Sequence, residues 1–363
     1  MKDELAARLL GRVMGWQPNE VAAIVPRLQV LARLKYDEYE GFSAGVKFSE
    51  SLAWWLMQFE PADRNAAIDF ILKRLVFVSR AELDHIIRSV YDDVIRRHLL
   101  KRTAADIAVP PYRVAFIARS EAYRALERRT LILGLSDGAR LDRVRRSSPL
   151  SHEQFYLVAD PSPDRIEAMA AKLREALVAK GLADQPTFRQ VVLVDDFSGS
   201  GLTLLREQDG SWLGKLWQAH RLVQQLAGAG LMATDTQVMV VLYIATQQAT
   251  QHLVGALSKA KFQWDLEIVQ ILDRTLKVES PQDDAIINLC RKHYDPMLVD
   301  QHKLVGGTDA ALGFADGRLP LVLFHNTPNN SICLLWGDTT ERRSEGGLRA
   351  LFVRHERHHP DRP

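Results

Sequence analysis

V-V-L-V-D-D-F-S-G-S-G-L-T, residues 191–203, decides how this chain reads. Four consecutive apolar residues without alternation predict a strand buried on both faces, as in a mostly parallel sheet. Asp195 and Asp196 follow at the strand's carboxyl end, where ligands of open α/β sheets bind. Gly199 and Gly201 let the backbone bend sharply and approach a ligand. Leu204 and Leu205 suit the start of a helix. Consecutive N–H groups at such a start, helped by the hydroxyls of Ser200 and Thr203, suit a phosphate. A carboxylate pair next to a phosphate is self-repelling unless it holds hydroxyls or a divalent cation. The expected ligand is therefore a phosphorylated sugar with magnesium.

Outward from this turn the pattern is α/β. Short apolar runs at 113–118 (R-V-A-F-I-A), 130–135, 237–244, 266–272 and 320–324 read as further strands. The clearest helix spans 164–180: Asp164 can cap it, Ile166, Met169, Leu173 and Leu177 share a face, and Gly181 suits a left-handed C-cap. Before Pro110-Pro111 the spacing is helical, with Leu52, Trp55, Leu56 and Phe59 in one segment and Leu83, Ile86, Ile87, Val90 and Val94 in another. Ser79 and Glu82 form a capping box for the second. Trp54 and Trp55 read as core and not as a stacking platform. The expected organisation is a helical domain over 1–105, an α/β domain over 106–350 and a flexible tail over 351–363, whose histidines read as a solvated end and not a metal site.

The 363 residues suffice for two domains, and 47 basic against 45 acidic residues leave a net charge of +2, which indicates neither nucleic acid nor an acidic membrane as partner. Cys290 and Cys333 are too few for a disulfide framework and lack paired metal-ligand spacing, so a reducing cytosol is expected and zinc is not. No run of 18 apolar residues occurs, and the N-terminal M-K-D-E-L carries acids where a signal peptide needs apolar residues. The expectation is a cytoplasmic protein without a membrane segment.

Other candidate site residues follow the remaining runs. Arg119 and Ser120, after 113–118, read either as a diphosphate loop or as a surface turn. Ser136, Asp137, Gly138 and Arg140 follow 130–135, and Arg145 and Arg146 can clamp phosphates or simply face solvent. His325, Asn326, Asn329 and Asn330 follow 320–324 and offer neutral donors and acceptors for a base or ribose, although a Thr-Pro-Asn-Asn turn forms without any ligand.

The 191–203 run resembles the phosphoribosyl-diphosphate (PRPP) motif of type I phosphoribosyltransferases: an apolar strand, two acids, a spacer, then Ser200, Gly201, Leu202 and Thr203 in the 5′-phosphate positions. The resemblance implies that Asp195 and Asp196 take the ribose hydroxyls, directly or through magnesium, while Ser198, Gly199 and the residues after them cradle phosphate. Purine-salvage members carry an Asp where this chain has Gly199, so the nucleophile is not identified. L-G-L-S-D-G-A-R (133–140), R-R-S-S-P (145–149), S-H-E-Q (151–154), W-L-G-K-L (212–216) and H-N-T-P-N-N-S-I-C-L-L-W (325–336) together are similar to the divergent phosphoribosyltransferase-like family of bacterial conflict systems. That resemblance covers most of the chain. It implies a type I phosphoribosyltransferase-like fold with a helical N-terminal region, glycosyltransferase-class chemistry in nucleotide metabolism and a role in anti-phage defence, with a defence-system protein as partner.

Two rival readings stand beside it. D-D-F-S-G-S-G also resembles the D-P-F-x-G-S-G cofactor loop of S-adenosylmethionine-dependent amino-methyltransferases, and V-P-P-Y (109–112) echoes their D-P-P-Y. Val109, however, cannot accept a hydrogen bond from a target amine, and Asp196 replaces the loop proline. The other rival is a catalytically silent nucleotide or PRPP sensor that signals to a partner. A P-loop NTPase is excluded because no G-x-x-x-x-G-K-[ST] is present.

Overall fold

The structure, a computed structural model, describes residues 3–158, 162–182, 186–299, 304–340 and 347–354. Among these the strands are β1 (Val76–Val78), β2 (Thr130–Gly134), β3 (Phe155–Leu157), β4 (Phe188–Ser198), β5 (Arg206–Gln208), β6 (Ser211–Leu213), β7 (Met232–Thr246), β8 (Trp264–Leu272) and β9 (Leu321–Leu323). The chain forms two compact units, Met1–Glu82 with Arg274–Pro363, and Leu83–Asp273. This division differs from the boundary expected near residue 105. The helices after Leu83 pack on the α/β sheet: His98 and Arg102, from the helix Arg96–Asp106, reach the buried amide of Gln190 on β4 at 3.1 and 3.3 Å.

The unit Leu83–Asp273 is built on a five-stranded sheet in the order β3-β2-β4-β7-β8, with every pairing parallel. The unbroken apolar runs of β4 and β7 are buried on both faces, as their composition predicts. On one face Leu131, Leu133, Val191, Leu193, Val240 and Leu242 join a core with Leu173, Leu177, Leu222, Leu226 and Leu253, drawn from the helices Pro163–Ala179, Lys215–Gly228 and Gln247–Lys259. The first of these helices is capped by the Ser162 hydroxyl, one turn-start earlier than Asp164, and Gly181 takes the left-handed conformation expected of it.

Two expected elements differ. The run 113–118 is helical (Val114–Arg119): Ile117 is buried while Val114 and Phe116 are exposed, and a run of five apolar residues after Arg113 is too short for periodicity to separate strand from helix. Leu204 and Leu205 lie in a turn that leads into the β5–β6 hairpin, and the helix begins only at Lys215.

The other unit holds the helices Asp3–Met14, Pro18–Leu34, Phe48–Met57 and Arg64–Lys73 and a two-stranded sheet in which β1 pairs in parallel with β9. The 320–324 run is thus a strand, but not one of the five-stranded sheet. The capping box forms as expected: the Ser79 N–H donates to Glu82 Oε2 at 2.7 Å and the Glu82 N–H to Ser79 Oγ at 3.2 Å. Trp55 is fully buried and donates to the Leu334 carbonyl at 2.8 Å, whereas Trp54 is 40 % exposed beneath the Arg349 guanidinium. Residues 351–353 are no flexible tail. Leu351 and Phe352 are fully buried, and the Phe352 ring stacks on Phe42 and Phe48, each at 5.7 Å. His355, His358 and His359 lie outside the described residues. Among the described residues no helix is long and apolar enough to cross a membrane.

Candidate functional site

In chain order the five parallel strands run 2-1-3-4-5 across the sheet, so the direction of winding reverses between β2 and β4. Loops leaving the carboxyl ends of strands at such a reversal diverge and open a crevice, the usual ligand site of open α/β sheets. Here the loop 135–140 leaves β2 and the loop 199–205 leaves β4, held in step by the Leu135 N–H donating to the Val194 carbonyl at 2.9 Å.

Successive side chains of a strand point to opposite faces, and this separates the two acids. Asp195 shares the face of Val191 and Leu193 and is fully buried. Its Oδ1 accepts from the Ser136 hydroxyl, and its Oδ2 is paired with the Lys215 ammonium at 2.5 Å. Burial pushes its carboxyl above the ordinary range; Lys215 pulls it back, and Asp196 adds a further push. Both oxygens of Asp195 are thus engaged within the protein, tying β4 to the 136–140 loop and to Lys215.

Asp196, 9 % exposed, accepts the Phe197 N–H on Oδ1 at 2.9 Å. Its carboxylate lies against Gly138, where an added Cβ would collide with it, so only glycine permits this approach. The 136–140 loop is held from β7: fully buried Tyr243 donates to the Ala139 carbonyl at 2.5 Å. Burial and then the two carboxylates push its phenol well above the ordinary value, which keeps it a donor. Asp137 is exposed on this loop, and Arg140 ends it in a left-handed conformation at φ 45°.

The second loop is stiffened by its own small residues. Ser198 Oγ accepts the Gly201 N–H at 3.2 Å, and the Thr246 hydroxyl donates to the Gly199 carbonyl at 2.6 Å. Gly201 has φ +79°, and an added Cβ there would stand 2.7 Å from the His252 ring. Its carbonyl accepts from Leu204 and Leu205, both at 3.0 Å, while Ser200 Oγ receives the Leu202 N–H at 3.4 Å. Among the described residues the N–H groups of Ser200 and Thr203 and the Thr203 hydroxyl have no partner, which leaves donors for an anion. The following helix does not supply them: its Lys215 and Leu216 N–H groups donate to the carbonyls of Thr203 and Leu204 at 3.2 and 2.9 Å.

The fold therefore brings the 195–203 run together with Ser136, Asp137, Gly138 and Arg140. Other expected site residues are occupied elsewhere. Ser120 caps the helix Glu121–Arg128, accepting from Tyr123 N–H at 3.1 Å and donating to the Ile117 carbonyl at 2.7 Å, and Arg119 ends the preceding helix. No diphosphate loop follows a strand there. His325 and Asn326 form the turn after β9, with Leu323 and Asn326 exchanging backbone bonds, in the other compact unit. Asn329 and Asn330 shape that unit: the Asn329 carbonyl accepts from Phe314 N–H at 2.7 Å, and the Asn330 amide donates to the Phe314 carbonyl at 2.9 Å. V-P-P-Y (109–112) joins two helices, with Tyr112 82 % exposed, and not the end of a strand.

Lys215 and Tyr243, which brace the candidate site, are not picked out by the sequence. Lys215 stands in the W-L-G-K-L string, yet nothing in a lone lysine 20 positions after an acid announces an ion pair across a hairpin. Tyr243 reads simply as part of an apolar strand.

Comparison with curated proteins and with solved structures gave no match. The family model described as PRTase-CE matches residues 52–354, most of the chain and both of its compact units. With that span matched and a parallel α/β sheet carrying the acidic turn, the chain belongs to the PRTase-CE family of phosphoribosyltransferase-like proteins.

Proposed function

We propose that this protein binds PRPP or a related ribose phosphate in the crevice between β2 and β4, with magnesium, and that it serves bacterial anti-phage defence as a phosphoribosyltransferase of the glycosyltransferase class. The carrying observation is the meeting of two loops at the reversal of the sheet: Gly138 makes room for the Asp196 carboxylate, and the 199–203 turn holds N–H groups that have no partner among the described residues. The 5′-phosphate fits the N–H groups of Ser200 and Thr203 with the Thr203 hydroxyl, and the ribose hydroxyls fit Asp196.

Magnesium suits this arrangement in one form. Among the described residues no three His, Cys, Asp or Glu side chains gather to hold a metal, and Asp195 is taken by Lys215. Asp196 can hold the ion only together with water and the ligand's own phosphate oxygens, which is how magnesium is commonly bound beside phosphates. When bound there, the ion neutralises the departing diphosphate. In the transfer itself the bond from C1 to the diphosphate oxygen breaks and a bond to the acceptor nucleophile forms. The contribution of Asp196 is to hold the ribose and offset positive charge growing at C1.

One observation favours the sensor reading as second: both oxygens of Asp195 are engaged inside the protein, whereas the family motif offers both acids to the ribose. Calorimetric titration of PRPP with and without magnesium, followed by S-adenosylmethionine, tests both readings. The expected result is magnesium-dependent PRPP binding that weakens about tenfold or more in Asp196→Asn, as for loss of a charged hydrogen-bond partner. Diphosphate release marks the enzyme, and tight binding without release marks the sensor. Binding of S-adenosylmethionine alone overturns both.

A further inference from the structure

R-R-S-S-P, 145–149, takes no part in the crevice described above. It closes the short helix Leu141–Arg146, and its Arg146, Ser147, Ser148 and Pro149 line a cavity of about 600 Å³. The other walls come from the π-helical segment Val90–Ile95, with Arg96 after it, and from Tyr123, Arg124 and Glu127 of the helix Glu121–Arg128. A π-helical turn within a helix often marks a functional site.

Charge in this cavity is unbalanced. Of its three guanidinium groups, only Arg96 has a carboxylate within reach, Asp92 at 4.0 Å. Among the described residues Arg124 and Arg146 have neither an ion pair nor a side-chain hydrogen bond, and both are exposed. The other acid, Glu127, faces inward and accepts from the buried Tyr91 hydroxyl, which itself lies 3.4 Å from the Tyr123 hydroxyl. Burial and then Glu127 push the Tyr91 phenol up, and burial carries Tyr123 to about 12, so this network stays neutral at the tyrosines. The Ser147 and Ser148 hydroxyls donate to helix carbonyls at 2.9 and 3.2 Å and add no negative charge.

We infer that this cavity is a second ligand site, separate from the β2–β4 crevice, and that it takes a phosphate-bearing small molecule through Arg124, Arg146 and Arg96. Planar guanidinium forks match phosphate oxygens bidentately, and the cavity volume is that of small-molecule sites. Hydrogen–deuterium exchange of the full chain, with inorganic pyrophosphate and then ATP as probes, tests the assignment. At least one probe is expected to protect segments 91–96, 121–128 and 144–149, and Arg124→Gln with Arg146→Gln is expected to abolish that protection and weaken binding there about tenfold or more. Neither side chain has a partner to lose, so an unchanged thermal midpoint is expected and verifies the fold of the variant. Protection confined to 196–205 with both probes, no protection with either, or protection that survives in the double variant overturns the second site. The 196–205 segment reports the crevice independently, so either site can fail without the other.

Discussion

Both carboxylate oxygens of Asp195 are held by side chains of the chain itself, Ser136 and Lys215. Its fully buried carboxylate is balanced by Lys215, and the same lysine joins the loop, through Thr203, to the following helix. Removing one partner of a buried pair strands a charge, so Lys215→Met is expected to cost about 3–5 kcal/mol, measured by urea denaturation at pH 7. The sign of its pH dependence follows from the raised carboxyl of Asp195. A folded-state pKa above the unfolded value means that the native chain holds its proton more tightly, so this contribution is full at low pH and is lost as pH rises through the folded pKa. Without Lys215 the rise is larger, and Lys215→Met should recover stability as pH falls from 7. A variant whose urea midpoint does not rise as pH falls, down to the acid limit of the parent chain, would mean that Asp195 is not the stranded charge. The acids themselves were legible in the sequence as a pair at a strand's end. The engagement of Asp195 by Lys215 was not, because that depends on a lysine brought across the β5–β6 hairpin.

Among elements, the long strands were legible and the short apolar runs were not. β4 and β7 carry enough consecutive buried residues that only a two-sided strand accounts for them, whereas 113–118 satisfies a helix as readily. The turn after β4 was legible as a glycine-rich loop, but its continuation was not: Leu204 and Leu205 are buried in the core of the sheet and its helices and lead into a hairpin instead of opening a helix. Two glycines of this region separate the conformational demand from the packing demand. Gly201 and Gly210 both have positive φ, +79° and +74°, but only Gly201 has a neighbour, His252, in the space a Cβ would fill. Gly210→Ala is expected to cost about 1 kcal/mol, the left-handed backbone penalty alone. Gly201→Ala is expected to cost more than Gly210→Ala and to weaken PRPP binding, because the turn must shift. Thermal midpoints and PRPP titrations of the two variants check this, and equal effects on binding would remove the turn from the site.

Across the chain as a whole, the sequence pattern suggested a helical domain followed by an α/β domain, and the structure instead closes one unit from both ends of the chain. An unbroken apolar run such as 320–324 reports burial on two faces but carries no mark of its partner, and its partner is β1, some 240 residues earlier in the chain. The same limit applies to residues 351–353, which precede a charged stretch and read as a tail. Phe352 fills the centre of a ring cluster, within 6.2 Å of Tyr36, Tyr39, Phe42, Phe48 and Phe77. Leu351 and Phe352 also hydrogen-bond through their N–H groups to the Leu334 and Leu335 carbonyls. A segment so held closes a long-range core, and Phe352→Ala is expected to destabilise this unit by about 3–5 kcal/mol, as for other fully buried aromatics. Val353→Ala, at a half-exposed neighbour, is the control and should cost less than about 1 kcal/mol. Buried Trp55, in the same unit and bonded to the Leu334 carbonyl, gives the fluorescence signal for the urea transition. A Phe352→Ala midpoint equal to that of the control would mean that the two segments of this unit, Met1–Glu82 and Arg274–Pro363, are held together without this ring.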